Sequence, residues 1–413
     1  MNTPKRDRRW STLAVSGALL AAVAAGVATP ALAADRTPGG SGAAAAALRL
    51  AGPVDRTALA KTLADLPSEQ VTGALVRVDG RGGSWSGTAG EGVPADARFR
   101  IGSISKVFTA TVVLQLAAER RLDLDGTVQH YLPGLLPADY PPITVGQLLD
   151  HTSGLPGGGG LTSGDGSERW FAEHRADSWT PAQVVAAAVA QPMGFAPGTA
   201  QQYNGINTFV AGLVIEKVTG RTFAQEVQSR IARPLGLRDT FVPGRDDLAL
   251  PGPHTSGRVA VTGPDGVRRL VDVTEQSPWP WAEGGMISSA ADLDRFVTAL
   301  FRGRLLPPAQ QAELFNVPDV PNQRNRNCEI GPTAGHACFS KGLMSATLPN
   351  GTVVWGKTGS RPGYSSAVFA TRDLSRKVVL SLNPTDISGG EFPKLWQIVT
   401  TSFGSGQVYG QEG

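Results

Sequence analysis

The sequence predicts an α/β (α+β) fold: an antiparallel sheet flanked by helices, built from both ends of the chain, with a mostly helical lobe inserted between. Three observations carry this. Strand-like segments come first, at Val71–Val78 and Trp85–Ala89, on either side of Gly80, Gly82 and Gly83. Helical periodicity and helix-start signals then fill about residues 120–280. Strand-like segments return last, at Thr352–Trp355, Ser365–Thr371 and Lys377–Leu382. Strands, then helices, then strands is the order of a sheet closed by the two chain ends around a helical insertion.

The first strand pair reads as a hairpin, because an alternating apolar run meets a glycine cluster and then resumes. From Ile104 to about Glu119 the pattern is helical and apolar nearly all round, with Val107, Phe108, Val112, Leu114 and Leu116. A helix with no polar face is buried. Thr144-x-x-Gln147 and Thr222-x-x-Gln225 are capping boxes, and Thr180-Pro181 places proline at a first helical position. A helix over Asn207–Thr219 stops at Gly220, which tolerates the left-handed conformation of a helix end. Ser289 caps a helix over Ala290–Phe301, and a final helix covers Pro393–Phe403. The last two strands join at a turn around Asp373. The chain shows no internal repeat.

The chain has 413 residues, 41% hydrophobic and 18% charged, which suits one large globular domain over residues 53–405. Residues 1–33 read as an export signal. Lys5, Arg6, Arg8 and Arg9 form a basic head, an apolar stretch runs from about Leu13 to Ala28, and Ala31-Leu32-Ala33 gives the cleavage pattern. A retained membrane anchor is the competing reading, and Pro30 with the Ala-x-Ala site favours cleavage. Arg8-Arg9 leaves open whether export follows the general or the twin-arginine route. Residues 34–52 read as a flexible linker and 406–413 as a tail. The leader carries four basic residues and Asp7, a net +3, and the whole chain is also +3, so the mature protein is near neutral. No nucleic-acid partner and no lasting membrane anchor are expected, and the protein is expected to be extracytoplasmic.

Export places Cys328 and Cys338 in an oxidising compartment, where their short separation suits a local disulfide. No base accompanies either thiol, which argues against a nucleophilic cysteine. His130, His174, His254 and His336 show no metal-ligand spacing, and no metal or cofactor is expected. Ser365, in Gly363-Tyr364-Ser365-Ser366-Ala367, is a near miss for a nucleophile elbow. That elbow joins a strand to a helix, whereas this segment leads into a strand. His151 is expected to fix its loop. Trp279 and Trp281 are expected either in the core or lining a substrate pocket.

The chemistry centres on Ser103-Ile104-Ser105-Lys106, an S-x-x-K tetrad at the start of the buried helix. A spacing of three residues puts both side chains on one face, about 4.5 Å apart along the axis. A serine hydroxyl needs a neighbour to accept its proton. A lysine in a dry site can become that base or support another one.

Phe99-Arg100-Ile101-Gly102 followed by the tetrad resembles the nucleophile motif of class C β-lactamases and of related soluble DD-carboxypeptidases and esterases. Further matches follow in that superfamily's order: Ile143 through Leu155, Tyr203 before a helix, Gly284-Gly285-Met286-Ile287-Ser288-Ser289, and Lys357-Thr358-Gly359, the K-T-G triad. The resemblance implies a β-lactamase/transpeptidase-like fold and assigns roles. Ser103 attacks the carbonyl. Lys106 and Tyr203 share the proton transfers, and Lys357 lines the site. Backbone N–H groups of Ser103 and Ser360 form the oxyanion hole, with Thr358, Gly359 and Ser360 as substrate contacts. The chain departs from the pattern at Gly205, where the family usually has an Asn whose amide contacts both the lysine and the substrate amide. Asn204 and Asn207 are the candidate replacements, and Trp281 a further substrate contact. No arginine lies between Met344 and Trp355, where soluble DD-carboxypeptidases can use one to bind a terminal carboxylate. The leading expectation is a D-alanyl-D-alanine carboxypeptidase on peptidoglycan peptides. The alternatives are an esterase or β-lactamase on the same fold, and a penicillin- or muropeptide-binding protein with little turnover.

Overall fold

The alternating run Val71–Gly80 forms strand β1, and the glycines after it turn the chain into β2, Gly83–Ala89. These residues belong to a computed structural model that describes residues 52–404, except 158–163, 324, 326, 327 and 330. The export signal, nearly all of the linker and the tail lie outside the described residues. At the other end of the chain, β7 (Met344–Thr347), β8 (Val353–Arg361), β9 (Tyr364–Ala370) and β10 (Arg376–Pro384) complete a six-stranded sheet. Its order is β2-β1-β10-β9-β8-β7, antiparallel throughout. The two chain ends therefore meet in the middle of the sheet, where Val76 faces Leu380 and Val78 faces Val378.

Both faces of the sheet are covered, which is why β9 is buried along its whole length. One face packs Val76, Val78, Val378, Leu380 and Phe369 against helices α1 (Arg56–Thr62) and α6 (Phe392–Ser402), through Leu59, Leu395, Trp396 and Val399. The other face packs Leu75, Val368 and Val379 against the helical lobe. There α2 (Ser105–Ala118), α3 (Ile206–Thr219), the short α4 (Trp281–Gly284) and α5 (Ala290–Phe301) share one apolar core. Phe108 on α2 stacks on Phe296 on α5 with ring centroids 3.9 Å apart.

The helix-start signals act as read. Thr144 with Gln147 and Thr222 with Gln225 form capping boxes, and so does Thr180 with Gln183 beside its first-position proline. Gly220 ends α3 in the left-handed conformation, at φ +69°. The disulfide joins Cys328 to Cys338. Two small sheets were not foreseen: β3 (Arg98–Arg100) with β6 (Ile287–Ser289), and the hairpin β4 (Arg258–Thr262) with β5 (Arg268–Asp272). The first ties the segment before Ser103 to the segment after Glu283. No helix among the described residues is long and apolar enough to cross a membrane.

Candidate active site

Ser103 sits in a tight helical turn, Gly102–Ile104, that runs straight into α2. Its position depends on two glycines. A Cβ at Gly102, which holds φ +49°, would meet the Ser360 amide nitrogen at 2.5 Å, and one at Gly359 would meet the Ile101 carbonyl oxygen at 2.0 Å. Only residues without side chains let the turn before Ser103 lie flat against the K-T-G strand. The Ser366 hydroxyl, donating to the Ile101 carbonyl at 3.1 Å, stitches the turn to β9.

One turn on, the Lys106 ammonium donates to Ser103 Oγ at 3.0 Å. The lysine side chain is only 4% exposed and pairs with Glu283, its Nζ 2.5 Å from Oε1. It also donates to the Glu283 carbonyl at 2.9 Å. Burial alone lowers the lysine's pKa, but Glu283 and the Tyr203 phenol outweigh it and raise the value above that of an ordinary lysine.

Tyr203 closes the cluster. The Lys106 and Lys357 ammonium groups lie 5.0 Å and 4.6 Å from its ring centroid. Burial alone raises the phenol's pKa, yet the two cations, with Lys106 contributing most, bring it below the ordinary value. Lys357 points along its own strand, donating to the Thr358 carbonyl at 2.8 Å, and burial lowers its pKa. Two aromatic rings hold the phenol: Phe339 stacks at 5.1 Å and His151 at 4.7 Å. Burial, then Lys106 and Lys357, push the His151 pKa well below its usual value. The neutral ring accepts at Nδ1 from the Asn204 backbone N–H and from the Asn207 side-chain amide. His151 thus anchors its loop and the tyrosine together.

Ser103, Tyr203, Lys357, Thr358, Gly359 and Ser360 line one cavity of about 330 Å³, continued by Ser365, Ile387, Glu391, Phe392 and Leu395. Lys106 reaches Ser103 without lining the cavity, and three expected substrate contacts do not line it either. The Asn204 amide donates to the carbonyls of Leu155 and Pro156. The Asn207 amide binds His151, and its oxygen accepts from Ser153 at 2.5 Å. The Trp281 ring packs on Phe209 and Phe223. None of these three expected substrate contacts lines the cavity: each is engaged in the wall behind it. Trp279 instead lines a neighbouring cavity of about 320 Å³ with Trp170, Trp179 and Arg361. Ile387 borders both cavities.

Glu283 was not singled out from the sequence. It sits on a four-residue helix with no periodicity, and its partner Lys106 is 177 positions away.

The sheet, the helical lobe and this serine–lysine–tyrosine–lysine cluster are those of a hydrolase of the serine β-lactamase and penicillin-binding protein superfamily. The family model described as Beta-lactamase matches residues 57–391, and the chain belongs to that family. It is similar to the esterase EstB of Burkholderia gladioli, at 28% identity over 71% of this chain and 79% of the relative. Penicillin-binding protein 4 of Amycolatopsis lactamdurans is 31% identical over 50% of this chain, and the match spans 51% of that relative. Among solved structures, a D-stereospecific amidohydrolase from Streptomyces sp. superposes with TM-score 0.73 at 35% identity, covering 86% of this chain and 100% of the other.

Proposed function

We propose that this protein is an exported acyl-serine hydrolase of amide bonds beside D-configured residues, with D-alanyl-D-alanine carboxypeptidase activity as its form on peptidoglycan peptides. The observation that carries the reading is the contact of 3.0 Å between Lys106 Nζ and Ser103 Oγ, under a phenol flanked by two cations. Similarity to a D-stereospecific amidohydrolase supports the stereochemistry, and the disulfide fits an oxidising compartment.

In this reading Tyr203, held toward its phenolate, takes the proton of Ser103 as Oγ bonds to the scissile carbonyl carbon. The N–H groups of Ser103 and Ser360 hold the oxyanion. The phenol returns the proton to the leaving amine as the C–N bond breaks. Water, losing its proton to the same phenolate, then releases the acid and restores Ser103. Lys106 and Lys357 stay charged and stabilise the phenolate.

An esterase is the second reading. It is favoured by Glu391, whose buried carboxyl lines the same cavity as Thr358 and Ser360 and offers a peptide's terminal carboxylate no counter-charge. Rates on a D-Ala-D-Ala peptide, a D-amino-acid amide, nitrocefin and a p-nitrophenyl ester, measured side by side, rank the readings. The amide reading fails if only the ester turns over. A labelled fluorophosphonate should mark the wild type, and Ser103→Ala should abolish the label. Labelling that persists rejects the nucleophile.

A further inference from the structure

We infer that Glu283 is a positioning residue that fills the place left by the missing side chain at Gly205 and fixes Lys106 against the nucleophile. The inference rests on the reading of Ser103 and Lys106 above. It starts from space. A Cβ at Gly205 would lie 2.8 Å from Glu283 Oε1, 2.9 Å from its Cγ and 3.1 Å from its Cδ. No side chain at 205 fits while Glu283 keeps its place. Gly205 has φ −65°, so no left-handed backbone requires glycine there. The carboxylate therefore explains the glycine, and backbone conformation does not.

The second argument is a count of donors. Lys106 Nζ faces three acceptors: Ser103 Oγ at 3.0 Å, the Glu283 carbonyl at 2.9 Å and Glu283 Oε1 at 2.5 Å. A lysine ammonium has three N–H bonds and no acceptor, and a neutral amine has only two N–H bonds. The Ser103 hydroxyl can itself donate to a neutral amine, so it is the Glu283 carboxylate that favours the ammonium: Glu283 supplies two of the three partners and, with Tyr203, raises the lysine's pKa against burial. Lys106 is thereby held as a donor to Ser103 and as a cation beside Tyr203. The proton acceptor is left to be the phenol.

The third argument is how firmly the carboxylate is held. Trp281 adopts φ +44°, a left-handed value uncommon for a residue with a side chain. Its packing on Phe209 and Phe223 fixes it there, and the glycine at 212 makes room, since a Cβ at that position would meet the indole at 2.7 Å. From that anchor, α4 and the segment just after it are bound to α2 at successive turns: Thr109 Oγ1 donates to the Ala282 carbonyl, and the Met286 N–H to Ser105 Oγ. The asparagines that sequence reading put forward for this task are engaged elsewhere, so Glu283 is the group the fold delivers.

Four variants test the inference, with the rate of fluorophosphonate acylation and the pH dependence of kcat/KM on a p-nitrophenyl ester as readouts. The charged or titratable groups facing Lys106 are Glu283 on α4, Tyr203 before α3 and Lys357 on β8; Lys106 in turn acts on His151 in its loop. Glu283→Gln keeps size and removes charge, so the alkaline limb of the profile, where Lys106 deprotonates, should move to lower pH by about one unit or more. Glu283→Ala and Gly205→Asn should each slow acylation about 100-fold, and the double variant Gly205→Asn/Glu283→Ala should recover to within about 10-fold of wild type, as coupled neighbours do. Melting curves establish that each variant is folded. A Glu283→Gln profile that superimposes on wild type overturns the inference, as does a double variant no faster than the slower single. Labelling that survives Ser103→Ala would instead reject the underlying reading of the site, so the two failures are distinguishable.

Discussion

Gly102 lies directly against the backbone of Ser360: a Cβ there would come within 2.5 Å of the Ser360 amide nitrogen and 2.6 Å of its carbonyl oxygen. Ser103 and Ser360, whose N–H groups are the expected oxyanion donors, line one cavity on either side of this contact. Gly102→Ala should force the helix turn and β8 apart and slow acylation about 10²–10³-fold, the size of losing one oxyanion donor. Stopped-flow labelling reads the rate. A folded Gly102→Ala protein that acylates at the wild-type rate would remove both N–H groups from the mechanism.

The pH dependence follows from Tyr203. Its pKa is lowered chiefly by Lys106, then Lys357, against the opposing effect of burial. In the proposed mechanism the phenolate is the active form, so activity should rise with pH through that lowered value. The midpoint of the ascending limb should fall below about 10, the ordinary phenol value. Tyr203→Phe should reduce kcat about 10²–10⁴-fold and abolish that limb. An unchanged limb in Tyr203→Phe assigns the titration to another group.

Glu391 bears on substrate choice. It is 5% exposed, lines the catalytic cavity, and its Oε2 is buried without a hydrogen-bond partner among the described residues. Burial raises its pKa, so this carboxyl gives a substrate carboxylate beside Thr358 and Ser360 no counter-charge. Glu391→Gln should raise kcat/KM for a carboxylate-terminated dipeptide, relative to its primary amide, by about 10-fold, or roughly 1.4 kcal/mol. An unaltered ratio means the substrate terminus binds elsewhere.

The Cys328–Cys338 bridge closes a short loop next to the tyrosine's platform, since Cys338 precedes Phe339. Gln201 holds both residues independently, its Oε1 accepting from the Cys338 N–H at 2.9 Å and the Phe339 N–H at 3.0 Å. Cys328→Ser/Cys338→Ser should therefore lose about 2–3 kcal/mol of stability in urea unfolding while kcat stays within a few-fold of wild type. A kcat loss of about 100-fold would show that the bridge itself positions Phe339.

Features encoded over a few residues were legible in the sequence. Thr144 with Gln147, Gly220 and Ser289 mark helix ends through contacts three or four positions away. Ser103 and Lys106 need only one helical turn to meet. The limits appear where direction and distance matter. Asn204 and Asn207 are close to Tyr203 in sequence, but their amides turn into the wall and bind carbonyls and His151. Strands β3 and β6 have three residues each and pair across the lobe, so neither carries a periodic signal. Glu283 belongs to the same class: its importance comes from a contact with α2 that no local pattern records.

The central pairing of β1 with β10 also governs when this enzyme can come into being. β1 ends at Gly80 and its partner β10 starts at Arg376, so a ribosome must add the whole helical lobe before the pairing can form, and Lys357 arrives scarcely earlier. Until then Ser103 and its lysine occupy a fragment whose first hairpin has an unsatisfied edge. Completion of the sheet and of the cleft thus fall together late in synthesis, and until then the open edge of the first hairpin is exposed to aggregation.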